Sequence, residues 1–150
     1  MRSALPRRRL LQGGLAFAVS LLAPPARACE FFSSNLRIFH PWTRATEEGA
    51  AFAVVCMKFD EVLQDDRLIG VETPIARAAE MGGPGAGLRI DFAIRAGEES
   101  VLSEAGTHVR LVGLNHAVEV ARAYPLKLMF ERGGEINALL NVDYPSFRFK

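Results

Sequence analysis

Apolar and polar positions alternate along most of this chain with a period of two. Leu126, Leu128 and Phe130 fall on one side of an extended segment, and Ile136, Ala138, Leu140 and Val142 do the same in the next. A half-buried β-strand requires this spacing, because successive side chains point to opposite faces. Leu36–Phe39, Leu68–Val71, Ala76–Met81, Leu88–Ile94, Val101–Leu102 and His108–Val112 read as further strands. Ala51–Phe59 is apolar throughout except at Lys58, which predicts a strand buried on both faces. Turn residues separate these runs: Gly82-Gly83-Pro84-Gly85, Ala96-Gly97, Gly106 and Gly133-Gly134. Seven to nine short strands with little helical period predict an all-β sandwich in one domain. Nothing repeats internally, and nothing after Cys29 looks like a linker.

The first 28 residues break the pattern. A basic start is followed by an apolar stretch from Gly13 to Ala23, then Ala26-Arg27-Ala28. A basic start, short apolar core and small residues before a break predict a signal peptide over 1–28, cleaved after Ala28. Pro6-Arg7-Arg8-Arg9-Leu10-Leu11 resembles the twin-arginine export motif, with an ordinary Sec signal as the alternative. Pro24, Pro25 and Arg27 stop the stretch short of the roughly 20 apolar residues a membrane helix needs. The Arg27-Ala28 approach to Cys29, with no Leu three positions before it, argues against a lipid anchor there. The expectation is a periplasmic protein, soluble and without a stable membrane anchor. Its domain should occupy 29–147, with 148–150 as a loose tail.

Charge changes once the leader is set apart. The whole chain carries 18 basic and 17 acidic residues, but five Arg and no acid lie in 1–28. The remainder has 13 basic residues against 17 acidic, a net charge of −4, and no basic run. Nucleic acid is therefore not an expected partner, since its binding rests on clustered Lys and Arg. Cys29 and Cys56 both lie after the leader. In an oxidising compartment they read first as a disulfide pair, with a thiol metal site or two separate thiols as alternatives. A loop of about 27 residues closed by that bond would contribute about 3–4 kcal/mol.

Four stretches, in this order and spacing, resemble one known family. They are His40-Pro41-Trp42-Thr43-Arg44-Ala45; Asp66-Arg67-Leu68-Ile69-Gly70-Val71 with Thr73-Pro74-Ile75-Ala76; Ala96-Gly97-Glu98; and Gly106-Thr107-His108-Val109-Arg110-Leu111-Val112-Gly113-Leu114. Leu126-Lys127-Leu128-Met129-Phe130-Glu131 adds to the likeness. Over about residues 36–143 the chain resembles the periplasmic copper chaperones of the PCu(A)C type. The resemblance implies a cupredoxin-like, immunoglobulin-like β-sandwich. It also implies Cu(I) as cargo, delivered to a periplasmic acceptor such as a respiratory oxidase subunit.

That family binds its metal through His, ten residues, Met, twenty-one residues, His, one residue and Met, a soft donor set suited to Cu(I). Here His108 matches the second His, but Arg110 stands two residues on in place of Met. An ungapped count puts Ile75 and Ala86 at the first two ligand positions. A shortened Gly-rich loop puts Met81 or Gly82 at the first, and Leu88 or Ile90 at the second. His108 and Met81 are thus the candidate ligands, with a strand His bonded to a turn, and a packed Met, as the plainer readings. Arg110 on that face would repel a cation. His40 reads as an exposed strand-end residue and His116 as a surface turn, although a site rebuilt from His40, His108 and Met81 stays open. Trp42 reads as a core anchor and Arg44 as partner to an acid.

No Gly-x-Ser-x-Gly, His-Glu-x-x-His or phosphate loop occurs, so no enzyme is expected. Asp65-Asp66 and Glu98-Glu99 read as solvated turn charges. The leading expectation is a copper chaperone-like protein that binds Cu(I) weakly or through altered ligands. One alternative is a metal-free binding module for a protein partner or an anionic ligand, for which Arg110 beside His108 is suited. A structural subunit of an exported enzyme is the third.

Overall fold

The computed structural model describes residues 29–143. The expected leader 1–28 and the tail 148–150 lie outside the described residues. Among the described residues ten strands follow one another: β1 (Glu30–Phe32), β2 (Arg37–Arg44), β3 (Phe52–Asp60), β4 (Asp66–Glu72), β5 (Ala76–Gly82), β6 (Phe92–Ile94), β7 (Ser100–Leu102), β8 (His108–Leu114), β9 (Ala123–Phe130) and β10 (Gly134–Asp143). One 3-10 turn, Gly83–Gly85, interrupts them. The all-β expectation holds, and no helix among the described residues is long and apolar enough to cross a membrane.

The strands run side by side in the order β5-β8-β3-β2-β10-β9-β4-β6, with β1 added on β2 and β7 on β3. Every pairing is antiparallel except β10 with β2. Strand β3 ties the curled sheet together. Its first half, Phe52–Val55, pairs with β8, while Met57–Phe59 pairs with β7. Ala53, Val55, Met57 and Phe59 of this strand are all buried in the core. Its other face is only half covered, apart from Cys56, so β3 is less enclosed than its apolar run predicts. Phe59 meets Phe130 edge-on at 5.9 Å, a geometry favoured by the ring quadrupoles.

Strand β2 carries Pro41 in its middle, and the register with β3 shifts between Phe39 and Trp42. A bulge tolerates the missing amide of proline there. His40 bends the chain through φ 47, a left-handed value uncommon outside glycine. Trp42 is half-buried beside Cys56 rather than in the core. Arg44 bonds Glu104 at 2.9 Å, as expected of a partner to an acid.

The expected disulfide is absent: no bond joins Cys29 to Cys56. Cys29 lies in line with β1, its carbonyl accepting from His40 N–H at 2.6 Å. Cys56 lies on β3, across β2 from β1. Two strand spacings, about 9–10 Å, separate those lines, whereas a disulfide needs Cα atoms within about 7 Å.

Asp66 also departs from expectation. It is buried, not solvated, and its two oxygens accept from Arg67 N–H (2.8 Å), Arg132 N–H (2.9 Å), Gly133 N–H (3.0 Å) and Asn35 Nδ2 (3.2 Å). This carboxylate clasps the β9–β10 turn to the start of β4. Glu98 and Glu99 are exposed, as expected.

Candidate functional site

The antiparallel pairing of β5 with β8 places Gly82 opposite His108, Met81 opposite Val109 and Glu80 opposite Arg110. Val109 and Leu111 are fully buried, so His108, Arg110, Glu80 and Gly82 share the other face. Met81 goes with Val109 into the core. The structure therefore does not bring Met81 to His108, and the expected second ligand drops out. The register also settles the loop question: Gly82 stands where a side chain would face the imidazole, and Ile75 packs in the core.

His108 is 6% exposed. Its Nδ1 lies 2.9 Å from Gly106 O, and a carbonyl only accepts, so Nδ1 carries the proton. Nε2 keeps its lone pair. Arg110 Nε donates to it over a long 3.4 Å. The guanidinium also lies over the Phe52 ring, 4.7 Å from its centre. A Cβ on Gly82 would come within 2.4 Å of His108 Nε2 and 2.6 Å of Arg110 Nε. Glycine at 82 is what gives the guanidinium room above the imidazole.

The Gly-rich loop folds down beside this face. Met81 and Gly87 exchange backbone hydrogen bonds at 2.8 and 3.2 Å. Gly83 has φ +79, and a Cβ there would strike Gly106 O at 2.3 Å. Leu88 and Ile90, the residues at the second ligand position, offer no sulfur; Leu88 projects into solvent and Ile90 packs on the core rim. Met57 is core, and Met129 covers Gly70. The face offers one imidazole, no thioether and a guanidinium, so the four-donor set does not fit it.

The other histidines lie apart. His40 Nε2 meets Asp143 Oδ2 at 3.0 Å on β2, separated from β8 by β3. His116 is exposed in a turn, as expected. No group of three His, Cys, Asp or Glu poised for a metal occurs among the described residues. Sequence reasoning missed Glu80 and Phe52, which only the register across β5, β8 and β3 brings to Arg110.

The LpqE-like lipoprotein family model matches residues 36–142. No curated protein matches the chain. Among solved structures, the copper-bound PCuAC domain from PmoF2 is 27% identical, with a TM-score of 0.71, over 77% of this chain and 98% of that one. The apo PCuAC domain from PmoF1 is 24% identical, with a TM-score of 0.70, over 77% and 99%. The solution structure of CuI-DR1885 from Deinococcus radiodurans is 20% identical, with a TM-score of 0.61, over 70% and 76%. The fold is that of the PCuAC domains.

Proposed function

This chain belongs to the LpqE-like family, and on that premise we propose that it is an exported, non-catalytic copper-handling protein with one surviving ligand, His108. The observation that supports the reading is the state of that ring. Gly106 O holds Nδ1–H and turns the Nε2 lone pair toward the face shared by β5 and β8. A metal-binding imidazole is oriented in the same way, by a hydrogen bond to its other nitrogen. A single imidazole holds Cu(I) weakly and leaves its remaining positions to the soft ligands of a recipient. Such an arrangement suits transfer to a periplasmic acceptor, for example a respiratory oxidase subunit. Export rests on the leader read in residues 1–28.

A metal-free module for an anionic ligand or partner is the second reading. The observation favouring it is Arg110, whose two terminal nitrogens make no hydrogen bond among the described residues.

Anaerobic titration of Cu(I) into the mature protein against a competing chelator separates the two. Weak one-to-one binding is expected, lost in His108→Ala and tightened in Arg110→Met. The latter restores a thioether and removes a repelling charge. Should the wild type bind nothing and Arg110→Met create nothing, the anion reading takes over. Tight binding indifferent to His108→Ala would place copper elsewhere on the molecule.

A further inference from the structure

Strand β2 gives one edge to β3 and divides the other between two strands. β1 takes that edge at residues 37–39, and β10 takes it at 42–44. Before Asn141, β10 pairs only with β9 among the described residues, so its second edge has no strand bonded to it over 134–140. Pro125 decides which backbone groups that edge carries. It stands opposite Leu139, has no N–H, and turns its carbonyl to accept from Thr73 Oγ1 at 2.8 Å. Leu139 therefore exchanges no backbone bonds with β9, and its N–H and C=O point to the open edge. By the period of two, Asn137 and Glu135 point theirs the same way. An edge of this kind is a template for one more strand.

A cavity of about 640 Å³ opens here, with Phe31, Pro125 and Leu139 among its apolar walls and Glu72, Lys127 and Asn137 among its polar ones. Leu139 is 42% exposed, unusual for a leucine in a sheet. Lys127 lies 3.6 Å from Glu72 and 4.0 Å from Glu135, so the rim carries two acids against one base. A strand that completes the edge should thus alternate apolar and basic side chains.

Outside the described residues the same chain holds Phe147-Arg148-Phe149-Lys150, which has that alternation. Its own copy cannot deliver it. From Asp143 the chain would have to run back about 13 Å to bring Phe147 beside Leu139. The four residues 144–147 span at most about 14 Å, which leaves nothing for the turn, and β2 fills the edge between. We propose that residues 147–150 of a second copy add to the 135–139 edge as a strand, reciprocally, to form a two-fold dimer. The phenylalanines enter the cavity, and the longer basic side chains reach its rim at Glu72 and Glu135. The inference is independent of the copper reading, because β2 and β3 lie between this edge and the β5–β8 face.

The test is sedimentation equilibrium of residues 29–150 over a range of concentrations. Wild type should dimerise, and Phe147→Ser with Phe149→Ser should weaken the dimer at least about tenfold. Asn137→Pro removes one N–H from the open edge, where proline is tolerated, and should weaken it likewise. Charge reversal keeps the test decisive should that proline variant fail to fold. Glu72→Lys with Glu135→Lys should weaken the dimer about tenfold, and so should Arg148→Glu with Lys150→Glu. All four reversals together should restore it, which a loss of folding alone would not produce. Failure to recover in that combined variant would overturn the proposal, since the segment would then not face those acids. A wild type that stays monomeric at every concentration would overturn it too. So would a dimer indifferent to both phenylalanine changes, whose contact would lie on another surface.

Discussion

Asp66 and His108 are equally buried, each 6% exposed, yet they are held in opposite ways. Asp66 accepts from three backbone amides and Asn35, all within 3.2 Å. His108 has one firm bond to Gly106 O and one long contact from a mobile type of side chain. A buried polar group that is fully bonded by backbone has nothing left to exchange, so it serves to fix the fold. One whose second partner is a flexible guanidinium can trade that partner for a ligand. The two regions therefore differ: the β4–β9–β10 corner is a structural lock, whereas on the β5–β8 face one of the two contacts is long and comes from a flexible side chain.

The largest expected effect comes from breaking the lock. Asp66→Ala strands four donors and should lower stability by about 3 kcal/mol, measured by urea unfolding at neutral pH. Copper titration of the folded variant should match wild type, since nothing at the β5–β8 face touches Asp66. Acid adds a second reading. Burial would push the Asp66 carboxyl up, but bonds from Arg132 N–H, Arg67 N–H, Asn35 and Gly133 N–H outweigh it and hold the group below its ordinary value. Asp60 is likewise held low, chiefly by its bond from Arg37. A depressed carboxyl contributes stability that is complete above the unfolded value, about 4, and is lost as pH falls through the folded one. Wild type should lose stability below about pH 4, and the slope should flatten in Asp66→Ala. A variant as stable as wild type would erase the contrast between the two sites.

What the sequence disclosed follows the same division. The β-strands were legible because a period of two survives in the one-dimensional pattern, as at Leu126–Phe130 and Ile136–Val142. Leu88–Asp91, apolar enough to read as strand, is not part of β6, which starts at Phe92. β1 is only three residues long and escaped notice. Asp66 was misread because its partners arrive from 31, 66 and 67 positions away, and local sequence shows only its neighbour Asp65. His108 and the substitution at Arg110 were visible, since both fall inside a recognisable stretch. Gly82 stayed tied with Met81 until the register chose between them, and Glu80 and Phe52 carried no signal at all. Lateral neighbours in a sheet are set by pairing, and pairing is not written along the chain. The same blindness produced the disulfide expectation, because β2 between Cys29 and Cys56 is a fact of pairing.

Next in size is a change that crowds the replaceable contact. Gly82→Ala puts a methyl within 2.4 Å of the imidazole and 2.6 Å of the Arg110 Nε. The ring is fixed by Gly106 O, so the strain cannot be relieved by a flexible end alone, and overpacking of this kind costs about 1–2 kcal/mol. Thermal unfolding should register it as a lowered midpoint, smaller than that of Asp66→Ala. A neutral outcome would mean that the imidazole gives way along with the guanidinium, so that the bond to Gly106 O does not fix the ring, which would sharpen the contrast with the lock rather than remove it.

The smallest expected effect concerns the platform under the guanidinium. Phe52 is partly exposed, and Arg110 lies 4.7 Å over its ring, so the attraction belongs to the weak, exposed class of cation–π contacts. Phe52→Leu keeps an apolar side chain on β3 while removing the ring quadrupole that steadies the guanidinium above His108. Loosening the cover should raise Cu(I) affinity about threefold, the equivalent of a contact worth about 0.6 kcal/mol, with little change in melting temperature. The same substitution in the Arg110→Ala background should leave affinity where it was, because no guanidinium remains to be released. Weaker Cu(I) binding in Phe52→Leu would show that the ring supports the imidazole directly, and the face would then be a built site rather than a covered one.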